Sequence, residues 1–184
     1  MSTALMGQNM TIVNTYSDGK FAMSMGNGQM TFMEQKYNGE QLEVSQMGAS
    51  QVITEGPQLE AIKGQATVSA QFDYLSNGST IELLGAETID GVSCYKVAVT
   101  KPSGDKVTEF YSVDNSLLLR TVATAPGPAG ETTITTDMQD YKTYDGFMMP
   151  SLLKIAGMMP TTVEMKVESI DINGEVDMSM FDIK

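Results

Sequence analysis

The sequence predicts a mainly β fold, antiparallel hairpins with one or two helices, and three observations predict it. Residues 91–120 read as a three-stranded meander in which Tyr95, Val97 and Val99 alternate with Cys94, Lys96, Ala98 and Thr100. That period of two belongs to a pleated strand with two different faces. Turn-forming pairs such as Asp90-Gly91 and Asp145-Gly146 recur between similar runs. Apolar residues at approximately helical spacing mark one stretch, residues 57–75.

Residues 2–47 form a first β block of four or five strands. Met10, Ile12 and Tyr16 share one parity, and Phe21, Met23 and Met25 share another. Ser17-Asp18-Gly19 and Gly26-Asn27-Gly28 supply turns, and residues 30–37 form the next strand. Asn38-Gly39 predicts a two-residue hairpin into residues 41–47.

The pattern changes at Thr54. Pro57 stands near the first helical position, where its missing N–H costs no hydrogen bond, and Leu59, Ile62, Ala66, Ala70 and Phe72 follow at helical spacing. Gly64, Thr67 and Val68 are weak helix formers within it. The expected helix spans residues 57–75, ends at Asn77-Gly78-Ser79, and acts as a lid packed on a sheet.

From residue 80 the chain returns to strands. Residues 80–88 lead through Asp90-Gly91 into the meander, whose turns are Pro102-Ser103-Gly104-Asp105 and Asp114-Asn115-Ser116. Residues 125–130 (APGPAG) are expected to form a loop outside any ladder interior. Threonine-rich residues 131–144 form a long strand, followed by strands at 149–155 and 162–172. In the last of these Val163, Met165 and Val167 oppose Ile170 and Ile172 in parity, so a bulge near Glu168-Ser169 is expected. No linker of domain-boundary length intervenes. The expectation is one domain over residues 1–184, the helix inserted between β blocks 2–47 and 80–172.

Composition bounds the function. A chain of 184 residues can bury about 70% of the surface its unfolded form exposes, so no disulfide or metal is needed for folding. Eleven basic and twenty-three acidic residues leave a net charge of −12, which opposes binding to nucleic acid. The apolar runs at residues 117–119 and 155–159 are far shorter than the ~20 residues of a spanning helix, so the chain is not expected to span a membrane by helices. Met1-Ser2-Thr3-Ala4 lacks a basic segment followed by an apolar one, and the chain opens inside a strand pattern. Either a cytoplasmic protein or a chain that begins after an excised export signal fits, and the opening strand pattern favours the second.

The residues of most catalytic constellations are absent. With no histidine and Cys94 as the lone cysteine, no Ser-His-Asp or Cys-His arrangement forms, and Cys94 reads as a small buried residue. Residues 171–175 lack the full spacing of a calcium loop. Asp137 with Asp140, and Asp171 with Asp177, are the carboxylate pairs available for acid–base work, and an acidic chain contains such pairs by chance. No cofactor is expected.

The methionines are unevenly placed. Eight of the sixteen fall at or before Met47 and eight at or after Met138. If the terminal thirds of a curved sheet meet, these flexible, polarisable side chains line a deformable apolar surface suited to acyl chains. Ordinary core filling is the competing reading. Copper(I) bound by Met23, Met25, Met30 and Met33 is a third, disfavoured because strand alternation already accounts for Met23 and Met25.

Several segments carry a family resemblance. Residues 94–100 (CYKVAVT), 109–114 (EFYSVD) and 117–120 (LLLR) resemble the core of bacterial outer-membrane lipoprotein-sorting proteins of the LolA/LolB-like class, especially versions from Bacteroidetes. Residues 140–142 (DYK), 145–150 (DGFMMP), 167–170 (VESI), 177–184 (DMSMFDIK) and 6–10 (MGQNM) extend the similarity over nearly the whole chain. The resemblance implies an incomplete, half-open antiparallel β-barrel with a helical lid, whose concavity holds lipoprotein acyl chains or another lipid in the periplasm or cell envelope. The family's N-terminal helix and signal sequence have no counterpart, which implies a cavity lacking part of its lid and a piece of a longer envelope protein. No family binding residue maps by motif onto this sequence.

The expected function is therefore non-enzymatic carriage of a lipid, lipoprotein acyl chain or other hydrophobic ligand. By parity and composition the candidate lining residues are Phe21, Met23, Met25, Met30, Phe32, Met138, Leu153 and Met165. The rival expectation is an accessory domain with a filled core, appended to an envelope partner such as a peptidase. An open sheet edge would offer a route to oligomers.

Overall fold

The computed structural model describes residues 1–5, 8–66, 74–75, 78–127 and 130–183. The chain divides into two compact units, Met1–Asp73 with Asp171–Lys184, and Tyr74–Ile170. Within each unit, among the described residues, strands adjacent in sequence pair antiparallel. The fold is mainly β, as the alternation predicts, with one α-helix among the described residues.

The first unit is a meander of β1 (Ser2–Leu5), β2 (Gln8–Ser17), β3 (Lys20–Gly26), β4 (Thr31–Tyr37), β5 (Leu42–Gln46) and β6 (Ala49–Ile53), followed by α1 (Pro57–Ala66). Register places Tyr16, Phe21, Tyr37, Leu42 and Ile53 in one cross-strand row. Leu59, Ile62 and Ala66 of α1 form a buried cluster with Phe21, Tyr37 and Leu42, with Met23, Val44 and Ile53 packed against it. Near the C-terminus a 3-10 turn, Met178–Phe181, lies against β3 and β4 with Phe181 buried. The Asp177 side chain caps it by accepting from the Ser179 N–H.

The second unit is a meander of β7 (Thr80–Ile89), β8 (Val92–Thr100), β9 (Lys106–Ser112), β10 (Leu118–Gly127), β11 (Gly130–Tyr144), β12 (Phe147–Ala156) and β13 (Val163–Lys166). Each strand pairs with its sequence neighbour. Extra residues at Leu84 in β7 and Leu119 in β10 shift the register locally, and such bulges sharpen a sheet's bend.

Turn chemistry sets these hairpins. Asp18-Gly19, Met47-Gly48, Asp90-Gly91 and Asp145-Gly146 each join paired strands with positive φ at both residues, the backbone that matches strand twist. Asn38-Gly39 does not make the expected two-residue turn. The loop spans residues 38–41, because the Asn38 side chain accepts from the N–H groups of Glu40 and Gln41 and holds a wider turn.

Four further expectations change. β6 lies beyond the predicted end of the first block, since Met47 carries no turn signal although it takes φ 51°. The helix is described to Ala66; residues 67–73 and 76–77 of the expected helix and its end lie outside the described residues, and Leu75 is exposed in a turn. Residues 125–127 join the β10–β11 ladder, where Pro126 sits one pair from its end and its missing N–H breaks no interior bond. The last strand stops at Lys166: the Val167 N–H still donates to the Ser151 carbonyl at 2.9 Å, but the expected alternation through Ile172 spans two segments, and no bulge at Glu168-Ser169 is needed.

Candidate functional site

In the second unit, alternation separates an apolar face from a charged one. On the apolar face Leu83, Val97, Glu109, Thr121, Thr136, Ile155 and Val163 form one cross-strand row. Ile81, Val99, Val107, Ala123 and Ile134 form the row on one side of it. On the other side Met138, Leu153 and Met165 stand directly opposite one another on three adjacent strands, each half-buried. The structure thus assembles three of the sequence-predicted lining residues into a single row.

The opposite face carries the ions. Lys96, Phe110, Arg120, Asp137, Lys154 and Glu164 occupy one row there. Lys96 pairs with Glu87 at 2.9 Å, Arg120 with Asp137 and Asp90, and Lys154 with Glu164 at 3.5 Å. The Lys96 ammonium also stands 5.6 Å from the Phe110 ring centroid. Beneath this ladder Cys94 is fully buried with Ile89 and Phe110, as expected of a small core residue.

Glu109 is the one acidic or basic residue in the three rows of the apolar face, and only 5% of it is exposed. Its two carboxylate oxygens accept hydrogen bonds from the Tyr74 and Tyr111 hydroxyls, both at 2.7 Å. Tyr111 stands two residues along the same strand, whereas Tyr74 arrives from the connection before β7. Burial first, and then the bond to Glu109, pushes the Tyr74 phenol up to about 12 and raises that of Tyr111 further. Sequence reading missed this trio. The alternation that sets Glu109 beside Val107 and Tyr111 was visible, but Tyr74 is 35 residues away and no local pattern links them.

In the first unit the candidates have different surroundings. Phe21 is core, sealed beneath α1, and Met23 packs against that cluster. Met25 is half-buried in a row with Ile12 and Met33. Met30 lies outside the strand in the turn after Asn27, 61% exposed. Phe32 is the extra residue of a bulge between the Met25 and Gly26 pairings. It lines a shallow depression of ≈ 200 Å³ with Glu34 and Ser45, residues whose parity is opposite to that of Met25. A second depression, ≈ 230 Å³, includes Met30, Val13 and Ser24.

Solved structures share this arrangement of strands and helix. A DUF1329 family protein from Desulfovibrio piger superposes with TM-score 0.59 at 13% identity, covering 98% of this chain and 86% of that one. A LolA superfamily protein from Nitrosomonas europaea gives 0.52 at 14%, covering 89% and 84%. The fold is LolA-like. A domain from Vibrio parahaemolyticus, designated an outer membrane lipoprotein-sorting protein, gives 0.60 at 11%, again with 98% and 86% coverage. At these identities the LolA-like likeness is one of backbone path. No family model and no curated protein matches the chain.

Proposed function

We propose that this LolA-like chain is a non-catalytic binder of acyl chains or comparable extended hydrophobic ligands in the cell envelope. The observation that carries the reading is the half-buried row Met138–Leu153–Met165, placed on the sheet face from which the ion pairs are excluded. Burying a chain there gains about 0.8 kcal/mol per methylene, and thioethers adapt to an irregular partner. The outer membrane lipoprotein-sorting designation of one structural neighbour supports a lipid-linked ligand and an envelope location. Met23, packed against the α1 cluster, and Met25, half-buried beside Ile12 and Met33, are proposed to provide apolar surface in the first unit.

The test is native mass spectrometry with organic extraction of the purified protein, followed by titration with an environment-sensitive fatty-acid probe. Saturable binding, weakened at least about tenfold by Met165→Asp or Leu153→Asp in a protein that still unfolds cooperatively, supports the reading. A ligand-free protein that binds neither this probe nor a dodecyl amphiphile with an uncharged or cationic head overturns it.

A second reading, an accessory domain of a larger envelope assembly, draws on a separate observation. The core under α1 is closed, and the two depressions beside β4 are shallow and small for a lipid. That reading predicts no probe binding and a stable complex with an envelope partner protein.

A further inference from the structure

Glu109 forms no ion pair among the described residues; the lysines and arginine that do, Lys63, Lys96, Arg120 and Lys154, pair with other acids. A carboxylate offers about four acceptor directions, and the two phenols occupy two of them. Neither phenol brings positive charge, and a carboxylate buried on a largely apolar face is best stabilised by a cation beside it. Tyrosines gather around it. Tyr95 and Tyr111 are directly opposite each other in register, one row from the Val97–Glu109 pair, and Tyr95 remains 45% exposed. Phenol rings beside a carboxylate favour an ammonium group through both ring faces and charge.

The two hydroxyls come from different kinds of element. Tyr111 lies in β9, while Tyr74 lies in a connecting turn, so replacing the Tyr74 donor would break no strand pairing.

Resting on the binder reading above, we propose that Glu109 is the head-group site of that surface and that the preferred ligand is an amphiphile with a protonated amine head. The head displaces the Tyr74 hydroxyl and pairs with the Glu109 carboxylate, while the tail runs over the apolar rows.

Dodecylamine, dodecanol and dodecanoate, competed near neutral pH against the fatty-acid probe, separate the possibilities. Wild type is expected to bind dodecylamine about tenfold more tightly than dodecanol and dodecanoate least. Glu109→Gln, which keeps the shape, is expected to bring the amine and the alcohol within about twofold. Tyr74→Phe leaves the carboxylate in place with one donor fewer and is expected to widen the amine preference, so the test stays readable should Glu109→Gln unfold. Equal displacement by amine and alcohol in wild type, or an amine preference that survives Glu109→Gln, overturns the head-group site while leaving the binder reading intact. Failure of all three, and of the probe, overturns both.

Discussion

Arg120 on β10 and Asp137 on β11 stand directly opposite each other, and the Arg120 Nε–H donates to the Asp137 carboxylate. A second arm of the guanidinium reaches Asp90 at 3.3 Å, so one cation ties the Asp90-Gly91 turn to two strands. Both partners of the closer pair are about a quarter exposed, at 24% and 23%, which limits their worth. Asp137→Asn is expected to lower stability by about 1 kcal/mol at low salt and by less at high salt. Urea unfolding at the two ionic strengths checks this, and an unchanged midpoint at low salt would refute it.

The closed core under α1 gives a larger effect. Leu59 is 2% exposed among Phe21, Tyr37 and Leu42. Leu59→Ala is expected to cost about 2–4 kcal/mol through lost burial and a cavity. Met30→Ala, at a position 61% exposed, should change stability by no more than about 0.5 kcal/mol. Chemical denaturation of the two variants side by side gives the comparison.

Alkaline pH should weaken the fold through the tyrosines on Glu109. Their folded-state values are raised from 10.0, that of Tyr74 to about 12, so the native state holds phenol protons that the unfolded chain has released. The associated stability is complete below pH 10 and is lost as pH rises through the folded values. The double change Tyr74→Phe and Tyr111→Phe is expected to flatten the decline between about pH 10 and 12. Tyrosinate absorbance recorded with unfolding midpoints reads both sides of the linkage.

The exposed rim of β7 makes a different kind of prediction. β7 pairs only with β8 among the described residues, and Ile81, Leu83 and Leu84 are all exposed. Leu83→Lys should leave thermal stability within about 0.5 kcal/mol of wild type and reduce aggregation of the concentrated protein. Light scattering against concentration measures the second effect.

Much of the fold was legible because alternation and turn chemistry are local. Val97 and Val99 reveal their face through period two, and Asp18-Gly19, Asp90-Gly91 and Asp145-Gly146 announce turns through residues that tolerate positive φ. Met47-Gly48 makes the same turn with a residue that gives no such notice, which hid β6. Asn38 misled in the other direction, since its side chain can hold a wider loop as well as a tight one. The row Met138–Leu153–Met165 depends on register between strands, which no single segment carries, although the residue types were readable. The Tyr74–Glu109 bond needs the full tertiary path and lay beyond any local signal.

Among the described residues, three of the four two-residue turns are Asp-Gly pairs, at residues 18–19, 90–91 and 145–146. The glycine nitrogen of such a pair can attack the aspartate carboxyl, expel water and close a succinimide, which reopens mainly to isoaspartate and adds a methylene to the main chain. A turn of two residues has no slack to absorb the added atom. The hairpins that make this chain easy to read are therefore also the expected sites of its isomerisation, and at the 90–91 turn the carboxylate that pairs with Arg120 would be displaced as the backbone lengthened.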